Sequence, residues 1–331
     1  LGRGGSDYSA ALLGEALPNC AAIQIWTDVP GIYTTDPRLV PEAHAIPEIS
    51  FSEAAEMATF GAKVLHPATI FPAVRRDIPV FVGSSKQPEL GGTWVRSKTN
   101  SRPTFRAVAL RRNQILLTLQ SPNMIGACGF LANIFSIFAK YGISVDLITT
   151  SEVSVSLTID YTGSQSNGQS VLNEKLLEEL KAFCKVRIDE GLALIALIGN
   201  GMSQVSGTGA AVFSSICDVN IRMICYGASS HNLCFLVNED QAEQTIKQLH
   251  HKLLEACPEI IKYITQNIIL RQKISAGDYT KTHLKSKEGN RNRTFFAKKI
   301  CSDSRLLIPV EIIFFTGKLI VRSTHNPDLF N

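Results

Sequence analysis

The chain has 331 residues, 45% hydrophobic and 19% charged, with a formal net charge of +4. This is the composition of an ordinary globular protein and excludes collagen-like and low-complexity classes. No apolar run approaches the roughly 18–20 residues that cross a bilayer, and no basic start leads into an apolar stretch, so the sequence predicts no membrane span, no signal peptide and a cytoplasmic protein.

The chain opens on GRGGSD at 2–7, followed by a helical pattern, SDYSAALLGEAL, with Ser6 or Asp7 as its N-cap. Glycines let backbone N–H groups approach an anion, and a helix N-terminus adds partial positive charge. Arg3 can clamp a carboxylate or phosphate with two bonds. The competing reading is a plain glycine-rich turn that caps a helix. The spacing is neither that of a P-loop nor GxGxxG, so neither of those nucleotide sites is implied.

AAIQIW at 21–26 reads as a strand and TDVPGIYTTDPR at 27–38 as a loop. Asp28 stands just past the strand end, where α/β sheets bind ligands, and Tyr33 and Arg38 are suited to stack on and pair with a nucleotide. A simple surface loop is the alternative. SFSEAAEMATFGAKVL at 50–65 is a helix pattern broken at Gly61, and HPATIFPAVRR at 66–76 restarts one. Lys63 follows a glycine, a fair place for a phosphate-binding ammonium, although a lone lysine is usually just solvated. IPVFVGSS at 78–85 reads as a buried strand, SKQPELGGT at 85–93 as a turn-rich exit, and a polar linker follows through Thr104. The alternation predicts an α/β layer domain.

Beyond the linker lies an internal repeat. Shifted by 78 residues, Leu116–Ile159 falls on Leu194–Val237 without a gap: Met124 on Met202, Gly129 on Gly207, Phe135 on Phe213, Ser151 on Ser229. Two copies of one supersecondary unit follow. In the first, ILLTLQS is a strand, NMIGACG a loop, FLANIFSIFAKYG an amphipathic helix stopped by Gly142, and ISVDLITT and VSVSLTID two more strands. The order is β-α-β-β, a sheet with helices on one face. GNGMSQVSGTG at 199–209 fails the dinucleotide spacing and is explained by the repeat.

None of the eight cysteines forms a CxxC pair and the seven histidines show no ligand spacing, so free thiols and no side-chain metal site are expected. Residues 1–255 hold 20 Lys+Arg against 23 Asp+Glu, a net of −3, while residues 256–331 hold 13 against 6, a net of +7. The shift marks a boundary near Glu255. The tail shows no repeat and no consistent periodicity, and its basic excess alone is a poor argument for nucleic-acid binding.

LGRGGSDYSAALL, IWTDVPGIYTTDPR, EAAEMATFGAKVLHPAT, IPVFVGSSK, FRAVALRRNQ, GISVDLITTSEVSVSLT and IRMICYGASSHNLCFLV together resemble the aspartate kinases, in particular the monofunctional lysine-sensitive type of bacteria. The likeness runs from Leu1 to about Glu255. It implies the C-terminal part of an amino-acid-kinase α/β domain at 1–104. Two ACT-type βαββ domains follow at 105–180 and 181–255, intertwined in the family, and a non-matching basic tail at 256–331. It further implies that the family's earlier Lys-Phe-Gly-Gly segment lies outside this chain.

The implied reaction is transfer of phosphate from ATP, with Mg2+, to the β-carboxylate of L-aspartate, the first step toward lysine, threonine and methionine. By motif, Arg3, Gly4, Gly5 and Ser6 would hold aspartate and Asp7 would position the catalytic groups. Thr27, Asp28, Tyr33, Arg38, Lys63 and Val64 would hold the nucleotide. The ACT pair implies a homodimer and an amino-acid effector, with neither nucleic acid nor membrane as partner. Asp146 aligns with Ile224 and Glu152 with Ser230, so only the first copy keeps acids for the ammonium groups of lysine. The expected lysine site is Met124, Phe130, Leu131, Val145, Asp146, Ser151 and Glu152, with the second copy mainly architectural. The alternative is a catalytically inactive piece that acts only as a lysine-binding ACT module. The tail has no dinucleotide fingerprint and is too short for a fused dehydrogenase.

Overall fold

The computed structural model describes residues 5–61, 67–160 and 172–255, and the backbone of three short strands in the tail. Residues 1–265 and 266–331 form two compact units.

The first unit opens with helix α1 (Gly5–Ala16), which a short connection folds back on strand β1 (Ile23–Thr27). A Cβ on Gly14 would lie 2.6 Å from Ile23 Cγ1, so helix and strand touch there. From that contact, nine residues of helix and four of strand each cover about 13 Å. The start of α1 therefore lies level with Thr27. Strand β2 (Glu48–Ser50), helix α2 (Phe51–Phe60), helix α3 (Pro67–Arg76), strand β3 (Val80–Ser84) and strand β4 (Gly92–Arg96) complete a four-stranded sheet ordered β1-β3-β4-β2. β1 and β3 are parallel, so Thr27 and Ser84 end side by side. The short β2 was not part of the sequence reading, which began a helix at Ser50.

Ser50 is the N-cap of α2 in a reciprocal capping box with Glu53. The helix ends at Gly61, whose φ of +120° suits only glycine and whose Cβ would meet the Leu110 carbonyl at 2.7 Å. Phe51, Ala54 and Met57 recur every three residues and form the buried stripe.

Both repeats fold in the predicted β-α-β-β order, although only Ile148–Thr150 of the expected strand ISVDLITT is a strand. The first copy is β5 (Ala107–Gln120), α4 (Phe130–Lys140), β6 (Ile148–Thr150) and β7 (Ser154–Asp160); the second is β8 (Lys185–Ile198), α6 (Thr208–Ser215), β9 (Met223–Tyr226) and β10 (Asn232–Asn238). Helices α5 (Glu174–Lys181) and α7 (Ala242–Leu249) lie outside the β-α-β-β pattern and close off each copy. All six strands join one antiparallel sheet ordered β6-β7-β5-β8-β10-β9.

The copies share their long central strands. Ala107–Arg111 of β5 pairs with the Leu194–Ile198 half of β8, and Leu116–Gln120 pairs with Lys185–Asp189. Register shifts between Arg111 and Leu116 separate the two halves, with Asn113 at φ 58° and Gly191 at φ 67°. Leu117, Leu119, Val155, Leu157 and Ile159 pack under α4 and α5; Ala193, Ile195, Leu197, Leu233, Phe235 and Val237 pack under α6 and α7.

The opposite faces differ between copies. In the second, Leu192, Leu194, Ala196 and Ile198 join the core that holds Ala54, Met57 and Phe60 of α2. Burial on both faces explains the continuous apolar run LALIALI. In the first copy the outer face carries Thr118 and Ser156, hydrogen-bonded at 3.2 Å and half-buried.

In the second unit, β11 (Thr294–Phe296), β12 (Val310–Phe315) and β13 (Lys318–Ser323) form an antiparallel sheet in that order. Strand pairing here had no periodic signal in the sequence.

Candidate functional site

Two places concentrate the candidate residues. The first is the end of the four-stranded sheet where β1 and β3 finish side by side and toward which the start of α1 points. Gly5, Ser6 and Asp7 form the first turn of α1, with Ser6 Oγ donating to Asp7 Oδ1 at 3.2 Å. Arg3, Gly4, Lys63 and Val64 lie outside the described residues. Thr27 Oγ1 donates to Asp28 Oδ1 at 3.1 Å, and the Thr27 carbonyl accepts from Ser85 N at 2.8 Å and Ser85 Oγ at 2.9 Å. The Ser85 lock on the strand end was not anticipated from the sequence.

Asp28 is exposed and leads into a loop anchored by a bridge between Tyr33 and Ala45. Asp36 holds Arg38 through a forked ion pair of 2.6 Å. That hydrogen bonding, set against partial burial, keeps the Asp36 carboxyl below the usual carboxylate range. The Arg38 side chain is 87% exposed, a cation presented to solvent rather than used to hold the fold. The site thus brings Gly5–Asp7, Thr27 and Asp28 to one end of the sheet, with Tyr33 and Arg38 further along the same loop. Anion-binding backbone N–H groups and one displayed cation suit phosphate and carboxylate groups. Among the described residues, no group of three or more His, Cys, Asp or Glu converges on a metal position.

The second place is a cleft of about 520 Å³ in the first copy. It runs from the β5–α4 loop to the β6–β7 turn and falls in the size range of small-molecule sites. Met124, Phe130, Leu131, Ser151 and Glu152 line it, as do Ile125, Gly126, Ala127, Gly129 and Thr150, which the sequence reading did not name. Gly129, the N-cap of α4, has φ +82°, which opens the loop over the helix start. Glu152 and Ser151 are exposed.

Val145 and Asp146 do not line this cleft. Val145 packs against the first copy's core. Asp146 is exposed as a residue, but its carboxylate is 21% exposed and pairs with Arg111 at 3.2 Å. Burial and the nearby Asp160 raise the Asp146 carboxyl, outweighing the pull of Arg111. Arg111 also bonds Asp160, and Gln114 Nε2 reaches the other oxygen of Asp160. This network at the β5 register shift joins residues distant in sequence, so no local motif announced it.

In the second copy the equivalent place is differently used. Met202, the counterpart of Met124, is fully buried, its N–H bonded to the Ser230 carbonyl at 2.9 Å and its carbonyl to the Tyr226 hydroxyl. Ser229, the counterpart of Ser151, donates to Glu56 of α2 at 2.7 Å, and Asn232 Nδ2 donates to the same carboxylate at 2.8 Å.

A nucleotide-type α/β layer joined to paired βαββ units defines an amino acid kinase segment with tandem ACT domains. Residues 1–84 match the amino acid kinase family, and residues 117–165 and 195–253 match the ACT domain. The two ACT matches start 78 residues apart, the offset of the repeat.

The chain belongs to the aspartokinase family. It is 65% identical over 255 residues to lysine-sensitive aspartokinase 3 of Escherichia coli K12, covering 77% of this chain and 57% of that protein. It is 41% identical over 266 residues to the chloroplastic aspartokinase 2 of Arabidopsis thaliana, covering 78% of this chain and 48% of that protein. The chain thus spans about half the length of these relatives. Among solved structures it resembles E. coli aspartokinase III in complex with aspartate and ADP (R-state), with a TM-score of 0.71 and 65% identity over 76% of this chain and 56% of that one. It also resembles the same enzyme in complex with lysine and aspartate (T-state), with a TM-score of 0.68 and 64% identity over 77% of this chain and 56% of that one. No helix among the described residues is long and apolar enough to cross a membrane.

Proposed function

We propose that the protein carrying this chain transfers the γ-phosphoryl group of ATP to the β-carboxylate of L-aspartate. The observation that carries this reading is the 65% identity over 255 residues to a lysine-sensitive aspartokinase, supported by the start of α1 and the end of β1 pointing to the same end of the sheet. A carboxylate oxygen of aspartate forms a bond to the γ-phosphorus as the bond to the β,γ-bridging oxygen breaks, giving 4-phospho-L-aspartate and ADP. Such transfer depends on positioning and charge neutralisation more than on covalent help from the protein. Arg3 and the backbone of Gly4, Gly5 and Ser6 hold aspartate, and Asp7 orients the reacting groups. Thr27, Asp28, Tyr33 and Arg38 hold the nucleotide, and Lys63 and Val64 reach its phosphates. The test is ADP release coupled to aspartyl phosphate trapping by hydroxylamine, in the longest in-frame product that contains these residues. ADP release without hydroxamate would refute aspartate as acceptor.

Lysine is the proposed effector, bound in the first-copy cleft. Apolar Met124, Phe130 and Leu131 suit its methylene stem, and Ser151 and Glu152 suit its polar ends. Asp146 joins this set only by release from Arg111. Calorimetry with Asp146→Ala decides its part: lysine affinity within twofold of the parent, about 0.4 kcal/mol, removes Asp146 from the site. The same calorimetry tests the second reading, a lysine-binding module without catalysis. That reading draws support from a cleft formed wholly within residues 124–152. Homodimer formation through the ACT sheet is part of the proposal, supported by the fully exposed edge strand β6. Sedimentation at monomer mass at micromolar concentration would contradict it.

A further inference from the structure

A buried imidazole makes the polar tie between the end of the second ACT copy and the proposed nucleotide loop, beside an apolar one in which Val40 shares a core with Leu249 and Leu253. After α7 the chain makes a π-helical turn, His250–Glu255. Such turns are rare and concentrate at functional positions. It turns His250 inward, leaving its side chain with no exposed surface. His250 Nε2 lies 2.8 Å from Thr34 Oγ1, across 216 residues of sequence. Its Nδ1 lies 2.5 Å from Glu255 Oε1, while His251 Nδ1 lies 3.1 Å from the other Glu255 oxygen.

The donor order follows from the chemistry of the groups. Hydrogen bonds from His251 and His250 hold the Glu255 carboxyl below its usual range, so it accepts and Nδ1 carries a hydrogen. With a neutral ring, Thr34 Oγ1–H donates to Nε2 and the same oxygen accepts from His44 N at 3.3 Å. Every polar atom of the Thr34 side chain is then used. A hydroxyl–imidazole–carboxylate chain has the connectivity of a nucleophile triad. Thr34 is only 4% exposed, however, and its hydroxyl is already engaged. No acyl group reaches it.

Thr34 sits beside Tyr33 and four residues before Arg38. Its backbone is tied to His44 by a 3.0 Å bond and to Val108 N by a 2.8 Å bond. Apolar packing holds the chain just beyond the loop, where Val40 joins the core of Leu249 and Leu253, but leaves a gap at Thr34. A crevice of about 150 Å³ runs between Thr34, His44, Ile46, Phe105 and Leu254. At Thr34 itself, directed hydrogen bonds fix the loop.

We propose that His250 is a positioning residue for the nucleotide: by holding Thr34, it sets the placement of Tyr33 and Arg38 from the last helix of the second ACT copy. This rests on the reading that the 27–38 loop binds nucleotide.

The test compares His250→Ala, His250→Gln and Thr34→Val in the longest in-frame product that contains these residues. Glutamine is chosen because its amide oxygen reaches the place of Nε2 and accepts from the Thr34 hydroxyl, and Thr34→Val removes only the hydroxyl while keeping the shape. Loss of one hydrogen bond predicts that His250→Ala and Thr34→Val raise the KM for ATP about fivefold. The KM for aspartate should stay within twofold, and His250→Gln should restore the parent KM for ATP. An unchanged KM for ATP in both deletions overturns the proposal, as does a parallel rise for ATP and aspartate, which marks general loosening. If the parent protein neither turns over ATP nor binds ADP, the nucleotide reading itself fails and takes this proposal with it. That failure is distinct, because it appears before any variant is compared.

Discussion

Glu53 in α2 and Asn200 in the loop after β8 are 147 residues apart in the chain and joined by a 2.6 Å hydrogen bond. The same Glu53 oxygen takes Arg106 Nε at 3.0 Å, and its partner oxygen accepts from Ser50 N and Ser50 Oγ. The Glu53 side chain has no exposed surface, and that of Arg106 is 11% exposed. One carboxylate thus caps its own helix and fastens the kinase segment to the second ACT copy.

Removing one partner of a buried ion pair leaves the other uncompensated, which typically costs about 3–5 kcal/mol. Glu53→Gln keeps the shape and one acceptor, so the loss should fall near the lower end, about 3 kcal/mol. Urea denaturation measures it, and an unchanged midpoint would show that Arg106 and Asn200 find other partners. Burial alone would raise the Glu53 carboxyl, but the bonds from Ser50 and Arg106 outweigh it and the net shift is downward. A depressed folded pKa gives stability that is present above the ordinary carboxylate range. It is lost as pH falls through that range toward the depressed value. The Glu53→Gln variant should therefore lose less stability on acidification than the parent.

Gly199 ends β8 where the chain passes Thr104. A Cβ there would lie 1.8 Å from the Thr104 carbonyl oxygen and 2.6 Å from its carbon. Backbone cannot yield as a flexible side chain does. Gly199→Ala is expected to cost about 3 kcal/mol, the upper range for overpacking. A thermal melt within 2 °C of the parent would show that the Pro103–Phe105 segment moves freely.

Arg112 bonds Glu239 at 2.9 Å and Glu243 at 2.7 Å, pinning the β5 bend to the start of α7. Its side chain is 37% exposed, so water screens both pairs. Arg112→Ala should lower stability by about 0.5–1 kcal/mol at low salt and by less at high salt. A salt-independent loss would point to lost packing of the arginine stem instead.

Glu152 is the exposed acid of the first-copy cleft, and a charge-assisted bond to an ammonium is worth about 1.5–3 kcal/mol. Glu152→Ala is expected to weaken lysine binding about tenfold or more by calorimetry. Unaltered affinity would move the ammonium elsewhere in the cleft.

Much of the architecture was readable locally. Strict alternation in VSVSLTID marks β7 because Val155, Leu157 and Ile159 face helices while Ser154 and Ser156 face outward. The three-residue spacing of Phe51, Ala54 and Met57 marks α2 for the same reason. β2 escaped notice because three residues hold too little periodicity. The tail strands escaped because their apolar residues do not alternate. The Ser85 bonds to Thr27 and the Arg111 network join segments with no local signature.

Sequence alone determined that a βαββ unit occurs twice, 78 residues apart, after an α/β segment, because hydrophobic periodicity and repetition are properties of the chain itself. It also singled out Glu152 and Asp146, because the second copy has Ser230 and Ile224 in their places. Tertiary structure decided which copy keeps an open cleft. The second copy is covered on both faces, by α6 and α7 on one and by α2 on the other, and its Ser229 is bonded to Glu56. It also decided that Asp146 faces Arg111 rather than the cleft. Those outcomes depend on which surfaces meet across more than a hundred residues, and desolvation and pairing at such contacts are set only when the chain has folded.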